Sequence, residues 1–407
     1  MRIFQNPFYI LGATLRDNRR KIMELAQEKS LDLDFVVITE ARLLLITPRK
    51  RIAAEISWFP GVSNKKVLEI LETLKNGTFD SVTTASLPAL ASFNLIIEFL
   101  SNLSKVSIKN LTDLLYTLAV SFENIDTEKL IRILNEDRSV AGISEITDFH
   151  SVDMELQAHK DFGVRQIREV LKKTSQKQLT AIMLALVNKA TRNNQRLALI
   201  DAFIDNIYAM EIQKESQKQE ESINKQAENI KTTLAKKTCS ASLSTLVKNF
   251  IRELSNFNEI MQPIQISMQQ RGLEHDMSCK IAYTARSVAI SLGNMAGKLK
   301  LSEKLMRKVK ELFAEIGSIE ERISQDLKVL EIIKNQNRKR NVKDLLAKSF
   351  SWLFLSFVAS LFAYAKSCSK SSIMKTECLS WGFFWKYYAV FFVIGLFVVF
   401  AKWLLKK

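Results

Sequence analysis

Proline and glycine are scarce, with 5 and 11 in 407 residues, and Pro263 is the only proline after Pro88. Both residues interrupt helices, so their near absence predicts a nearly all-α chain and argues against a strand-and-turn architecture. Histidine is scarcer, at 3 residues. No Gly-x-x-x-x-Gly-Lys-Ser/Thr loop, dinucleotide glycine fingerprint, Gly-x-Ser-x-Gly elbow or His-Glu-x-x-His pair occurs. With so few glycines a backbone cradle for phosphate is not expected, and neither is a cofactor. His275 and Cys279 stand one helical turn apart beside Glu274 and Asp276, but two ligands do not make a metal site. Carboxylate pairs such as Glu320-Glu321 read as solvated helix faces rather than acid/base machinery, so a non-enzymatic protein is expected.

What is abundant is positive charge and apolar surface. The formal charge is +16 and 47% of residues are hydrophobic, enough for a substantial core. Residues 342–407 hold nine lysines against Asp344 and Glu377; the remaining excess is spread thinly. That distribution suits an anionic membrane surface, and no motif marks a nucleic-acid reader. The first residues lack an apolar run of signal-peptide length, and Arg2 stands where a myristoylated glycine would, so the N-terminal part is expected to face the cytosol.

Residues 349–365 carry no charge, and residues 387–405 carry only Lys402, near the end where it can snorkel outward. Trp352, Tyr364, Trp381, Trp385, Tyr387, Tyr388 and Trp403 cluster at the ends of these runs, as interfacial aromatics do. Together they predict a C-terminal two-helix transmembrane hairpin over residues 349–407. Arg338, Lys339, Arg340, Lys343 and Lys348 precede it and Lys406 and Lys407 follow it, so both termini are expected on the cytoplasmic side. Arg338, Lys339, Arg340 and Lys343 are the expected lipid-headgroup contacts. The connecting loop holds Lys366, Lys370 and Lys375 with Cys368 and Cys378, which pair as a disulfide if that side is oxidising and otherwise stay as two thiols.

At the other end, Asn6-Pro7-Phe8-Tyr9-Ile10-Leu11-Gly12 precedes a basic amphipathic stretch over residues 16–29 with Ile22, Leu25 and Ala26 on one face. A second helical pattern, residues 35–58, stops at Thr47-Pro48 and restarts as Arg49-Lys50-Arg51. Over residues 4–59 this resembles the J-domain of heat-shock co-chaperones. Asn6 to Gly12 match that family's opening. Glu40, Ala41, Leu44, Leu45, Pro48, Lys50 and Arg51 match its third-helix stretch. The resemblance implies a small helical domain that docks a protein through its basic second helix, a heat-shock chaperone being the family's partner. The family's His-Pro-Asp loop is replaced by residues 29–34, Lys-Ser-Leu-Asp-Leu-Asp, and Arg42 stands where the family has tyrosine. What is implied is therefore a degenerate J-like fold used for binding. Arg16, Arg19, Arg20, Lys21, Arg49, Lys50 and Arg51 are the expected partner-binding residues.

Between the ends, Gly61, Gly77 and Pro88 place a boundary near residue 60 and a linker at 76–88. Amphipathic patterns follow at residues 90–103, 108–122, 127–134, 152–173, 178–189 and 195–210, predicting a helical bundle or irregular solenoid. Residues 211–237 are rich in Gln, Lys and Glu and read as a solvated helix or a connector. Patterning resumes at 243–254, 280–292 and 306–333. In the last, Val309, Phe313, Ile316, Ile319, Ile323, Leu327 and Leu330 either pack on the same chain or form a coiled coil between copies. The expected domains are thus 1–60, 61–210, 211–348 and 349–407. The expected function is that of a membrane-tethered adaptor or co-chaperone-like protein; the alternative is a pore-forming or remodelling membrane effector, as in a defence system.

Overall fold

In the computed structural model every regular element among the described residues is helical, as expected. The structure describes residues 1–77, 84, 86–102, 107–236, 240–295, 298–370 and positions 385, 389 and 393. The chain divides into two units, Met1–Leu292 with Lys304–Ile323, and Gly293–Glu303 with Ser324–Lys407.

The first unit begins with α1 (Pro7–Leu11). Asn6 caps it by accepting from the Phe8 N–H at 3.0 Å, and Gly12 ends it in the left-handed region at φ 68°, where a side chain would be strained. Asn6 also reaches across to donate to the Ala54 and Ser57 carbonyls, at 2.8 and 3.1 Å. α2 (Arg19–Lys29) and α3 (Phe35–Ile46) start at the caps Asn18 and Asp34 and pack on each other as a hairpin. Thr47-Pro48 ends α3 and opens α4 (Pro48–Ile56), as its spacing predicts.

No division falls at residue 60. The core that holds Phe8, Leu11, Ile22 and Ile38 continues through Trp58 and Phe59 into Val67, Ile70, Leu71 and Leu74 of α5 (Asn64–Lys75), then to Ala91 and Leu95 of α6 (Ala89–Asn102). α5 occupies part of a stretch where the sequence predicts only punctuation, although its four buried residues carry helical spacing. α6 is buried on nearly every face and packs on α7 (Ile108–Glu123) and α9 (Phe149–Leu171). On α9, Gly163 lets the two helices approach: a Cβ there would lie 2.9 Å from Ile97 and 3.1 Å from Phe93.

α8 (Thr127–Ala141) runs seven residues beyond its predicted end. α10 (Gln176–Arg192) carries a full capping box at Ser175 and Gln178. After α11 (Ala198–Phe203) and a π turn at Ile204–Tyr208 comes α12 (Ala209–Ala235), the helix of the two expected alternatives, but with one face buried instead of solvated all round. Its Ile212, Ser216, Ile223, Ala227, Ile230 and Leu234 are buried at seam spacing. They pack on α13 (Ser240–Gln270), where Leu243, Val247, Phe250, Leu254, Phe257, Met261 and Ile264 alternate four and three apart. The heptad seam therefore lies here. α13 also continues well past residue 254, through Pro263. The proline supplies no N–H and opens the preceding turn. There the Tyr208 hydroxyl donates to the Ile260 carbonyl at 2.6 Å, and burial pushes that phenol up to about 12, so it stays a donor.

α14 (Asp276–Gly293) leads to α15 (Leu299–Leu312). The pattern predicted as one helix over 306–333 breaks at residues 313–316, and α16 (Gly317–Lys370) starts anew. The Glu274 carboxylate makes that start, accepting from the Ser318 N–H and hydroxyl at 2.9 and 2.7 Å. Val309, Phe313, Ile316, Ile319 and Ile323 are buried in the single chain, so this part packs on its own chain.

In the second unit the ammonium of Lys334 pairs with Glu303 at 2.9 Å, and from residue 331 through 340 every side chain is exposed. Further along α16, Val342, Leu346, Phe350 and Phe354 form an exposed apolar stripe at four-residue spacing. The helix persists to Lys370, so Lys366 and Lys370 stand on helix instead of in the predicted loop. Among the described residues no helix is long and apolar enough to cross a membrane. Several side chains of residues 349–365 lie outside the description, as do residues 387–405 except Ala389 and Val393, and with them the Cys368–Cys378 pairing.

Candidate docking groove

Between α2 and α3 runs an open groove of about 820 Å³. Buried Ala26 and Ile38 form its floor, with Met23 and Phe35 on the flanks and Arg19, Arg20, Arg42 and Glu24 on the rim. Phe35 is 75% exposed, and Leu31, Leu33, Val36 and Val37 continue the apolar surface around the hairpin tip. One stripe of α3 faces the core, which takes Ile38, Ala41 and Leu45; Phe35, Val36 and Val37 are left outside it. Scattered exposed apolar residues need no explanation, but a contiguous set does.

The rim is unevenly neutralised. Glu24 accepts from the Arg20 guanidinium at 3.0 Å and lies 3.8 Å from the Lys21 ammonium. Arg19 and Arg42 form no ion pair among the described residues, and the Arg42 Nε is buried without an acceptor.

The predicted partner-binding residues separate into four groups. Arg19, Arg20 and Lys21 are exposed on α2, and the first two border the groove. Arg49 and Lys50 are exposed on α4. Arg16 is exposed but held by Asp137 of α8 at 2.7 Å, a contact that raises its pKa. Arg51 corrects the expectation. Its guanidinium is fully buried, donating to Glu55 at 2.7 Å, the Leu15 carbonyl at 2.6 Å and the Leu45 carbonyl at 3.2 Å, and it lies over the Phe8 ring. Arg138 grips the same carboxylate through Nη2 at 2.7 Å, with further donations to the Pro48 and Ser144 carbonyls. Burial pushes the Arg51 pKa down, and the Glu55 charge and hydrogen bond oppose that. Arg51 is thus a fastener between the N-terminal helices and α8. Arg338, Lys339, Arg340 and Lys343 are exposed on α16.

Two other polar clusters resemble chemistry. The Ser57 hydroxyl lies 3.5 Å from His159 Nδ1, and His159 Nε2 lies 2.6 Å from Asn94 Oδ1. That order matches nucleophile, base and orienting group, yet all three are buried and the hydroxyl donates to the Ala53 carbonyl at 2.8 Å. Burial pushes His159 down to about 3, a poor base at neutral pH. Asn94 also donates to the Ile56 and Trp58 carbonyls, so the trio binds the end of α4 to α6 and α9. Around Glu274, His275 Nδ1 faces the Ser278 hydroxyl at 2.9 Å, and burial foremost pushes the Cys279 thiol up. Among the described residues no group of three or more potential ligands could hold a metal.

Comparison with family models, curated proteins and solved structures gives no match to this chain. The basic runs and the J-like resemblance point to Arg19 and Arg20; they leave out Arg42, Met23 and Phe35. The available signal was Phe35-Val36-Val37-Ile38, four consecutive apolar residues of which one stripe buries only the last.

Proposed function

We propose that this protein is a membrane-tethered, non-enzymatic adaptor whose J-like N-terminal hairpin presents a docking surface for a partner protein. The observation that carries the reading is the unbroken course of α16 from Gly317 to Lys370, through the basic turns at 338–348 and into the uncharged residues 349–365. Seventeen residues without charge give a helix of about 26 Å, near the roughly 30 Å of a hydrocarbon core. Phe350, Phe354 and Phe362 project outward there with no protein surface over them among the described residues. A second, charge-poor run at 387–405 supplies the returning span. The J-like reading is supported by a short α1 against α3 and by the α2–α3 hairpin.

Fractionation tests the tether. The full chain should pellet with membranes and withstand alkaline carbonate, and a chain ending at residue 348 should move to the supernatant while keeping its partner. Full-length protein that is monodisperse in a detergent-free supernatant overturns the reading. The aromatic stripe also favours a second reading, an effector that assembles within the bilayer; dye release from vesicles by the full chain would replace the adaptor with it.

A further inference from the structure

We infer that the α2–α3 groove receives an acidic amphipathic helix of a partner protein, its apolar side on Met23 and Phe35 and its carboxylates on Arg19 and Arg42. The inference rests on the adaptor reading of the hairpin and names the chemistry of what docks there.

The groove offers apolar flanks and unspent positive charge together. Three guanidinia border it against one carboxylate, and that carboxylate is already shared between Arg20 and Lys21. The buried Arg42 Nε has a hydrogen and nothing to give it to. An incoming carboxylate can be taken by the accessible part of a rim guanidinium, whose planar fork offers two parallel bonds. A helix suits the geometry better than a strand. Both walls are α-helices whose main-chain groups are bonded within themselves, so no edge exists for strand addition. Two adjacent helices do leave a trough into which the ridge of a third fits. α2 and α3 have 11 and 12 residues, so the trough matches roughly three turns of a partner helix.

An anionic lipid surface is the poorer occupant. Asp32 and Asp34 flank Leu31 and Leu33 at the exposed tip, and insertion of that tip would bring both carboxylates to the phosphates. The same carboxylates oppose a nucleic-acid backbone.

The test uses the full chain in detergent micelles and fluorescence anisotropy of a labelled helical peptide of about 14 residues. Leucines occupy one stripe of the peptide and glutamates flank it; a counterpart carries glutamine in their place. The glutamate peptide should bind, and both the glutamine counterpart and Arg42→Ala should weaken binding about tenfold. Phe35→Ala should weaken both peptides, with helical circular dichroism unchanged as proof of folding. Equal binding of the two peptides, both released by Phe35→Ala, overturns the acidic assignment while leaving the docking surface intact. No binding of either peptide overturns the inference, and partner capture that also survives Phe35→Ala overturns the docking reading with it. Displacement of the glutamate peptide by phosphatidylserine added to the micelles, but not by phosphatidylcholine, overturns it in favour of lipid.

Discussion

Replacing Glu55 by glutamine should cost more than any conservative surface change in this chain. The glutamate carboxylate lies between two guanidinia, Arg51 Nε at 2.7 Å and Arg138 Nη2 at 2.7 Å, and all three side chains are at most 2% exposed. Glutamine keeps the shape but removes the one negative charge that contacts the two buried cations among the described residues, and its amide nitrogen points a donor at donors. Breaking one partner of such a network costs on the order of 3–5 kcal/mol, because the remaining charges are stranded out of water. Domain stabilities are typically about 5–15 kcal/mol, so this is a large fraction of the whole. Urea unfolding of the full chain in detergent micelles, followed by helical circular dichroism, measures the difference. Changing Arg51, Glu55 and Arg138 together to methionine should recover most of the loss, since no charge is then left unpaired. A loss below about 1 kcal/mol for Glu55→Gln would refute the reasoning, as would a triple variant no more stable than the single one.

His159 titrates near 3 when folded and near 6.5 when free, so the unfolded chain binds the extra proton. Stability from this site is complete above about pH 6.5 and falls by up to about 1.4 kcal/mol per pH unit on the way down to about 3. His159→Gln should flatten the slope between about pH 6.5 and 5 in urea titrations, and an unchanged slope counts against a buried neutral imidazole. Gly163→Val places a branched side chain where even a Cβ meets Ile97 at 2.9 Å, and should lower stability by about 1–3 kcal/mol in the same assay. Asn258 of α13 is buried and its Oδ1 has no donor among the described residues, so Asn258→Leu should raise the urea midpoint. A lowered midpoint would refute this.

Local chemistry made most of the helices legible. The caps Asn18, Asp34, Ser107, Asp126 and Ser175 each accept from a main-chain N–H two or three residues on, an interaction contained within a few residues of sequence. The Thr47-Pro48 break is equally local. The buried face of α12 was not legible because a seam needs to be apolar only where it meets its partner: Ile212, Ile223, Ile230 and Leu234 suffice among many Gln, Lys and Glu. α5 was not legible because the turn signals Gly61 and Gly77 bracket a short segment with only four well-spaced buried apolar residues.

Composition and periodicity thus determined by themselves that the described residues are all-α and where most of their helices begin. Only the tertiary structure decided what each charge is for. Arg19 and Arg51 sit in equally basic runs, yet one borders an open groove and the other is locked to Glu55 and shares it with Arg138. Glu55 and Arg138 are 83 positions apart, and no spacing rule acts over that distance. Helix formation reads neighbours within a turn or two; burial is settled by which faces meet when the helices pack.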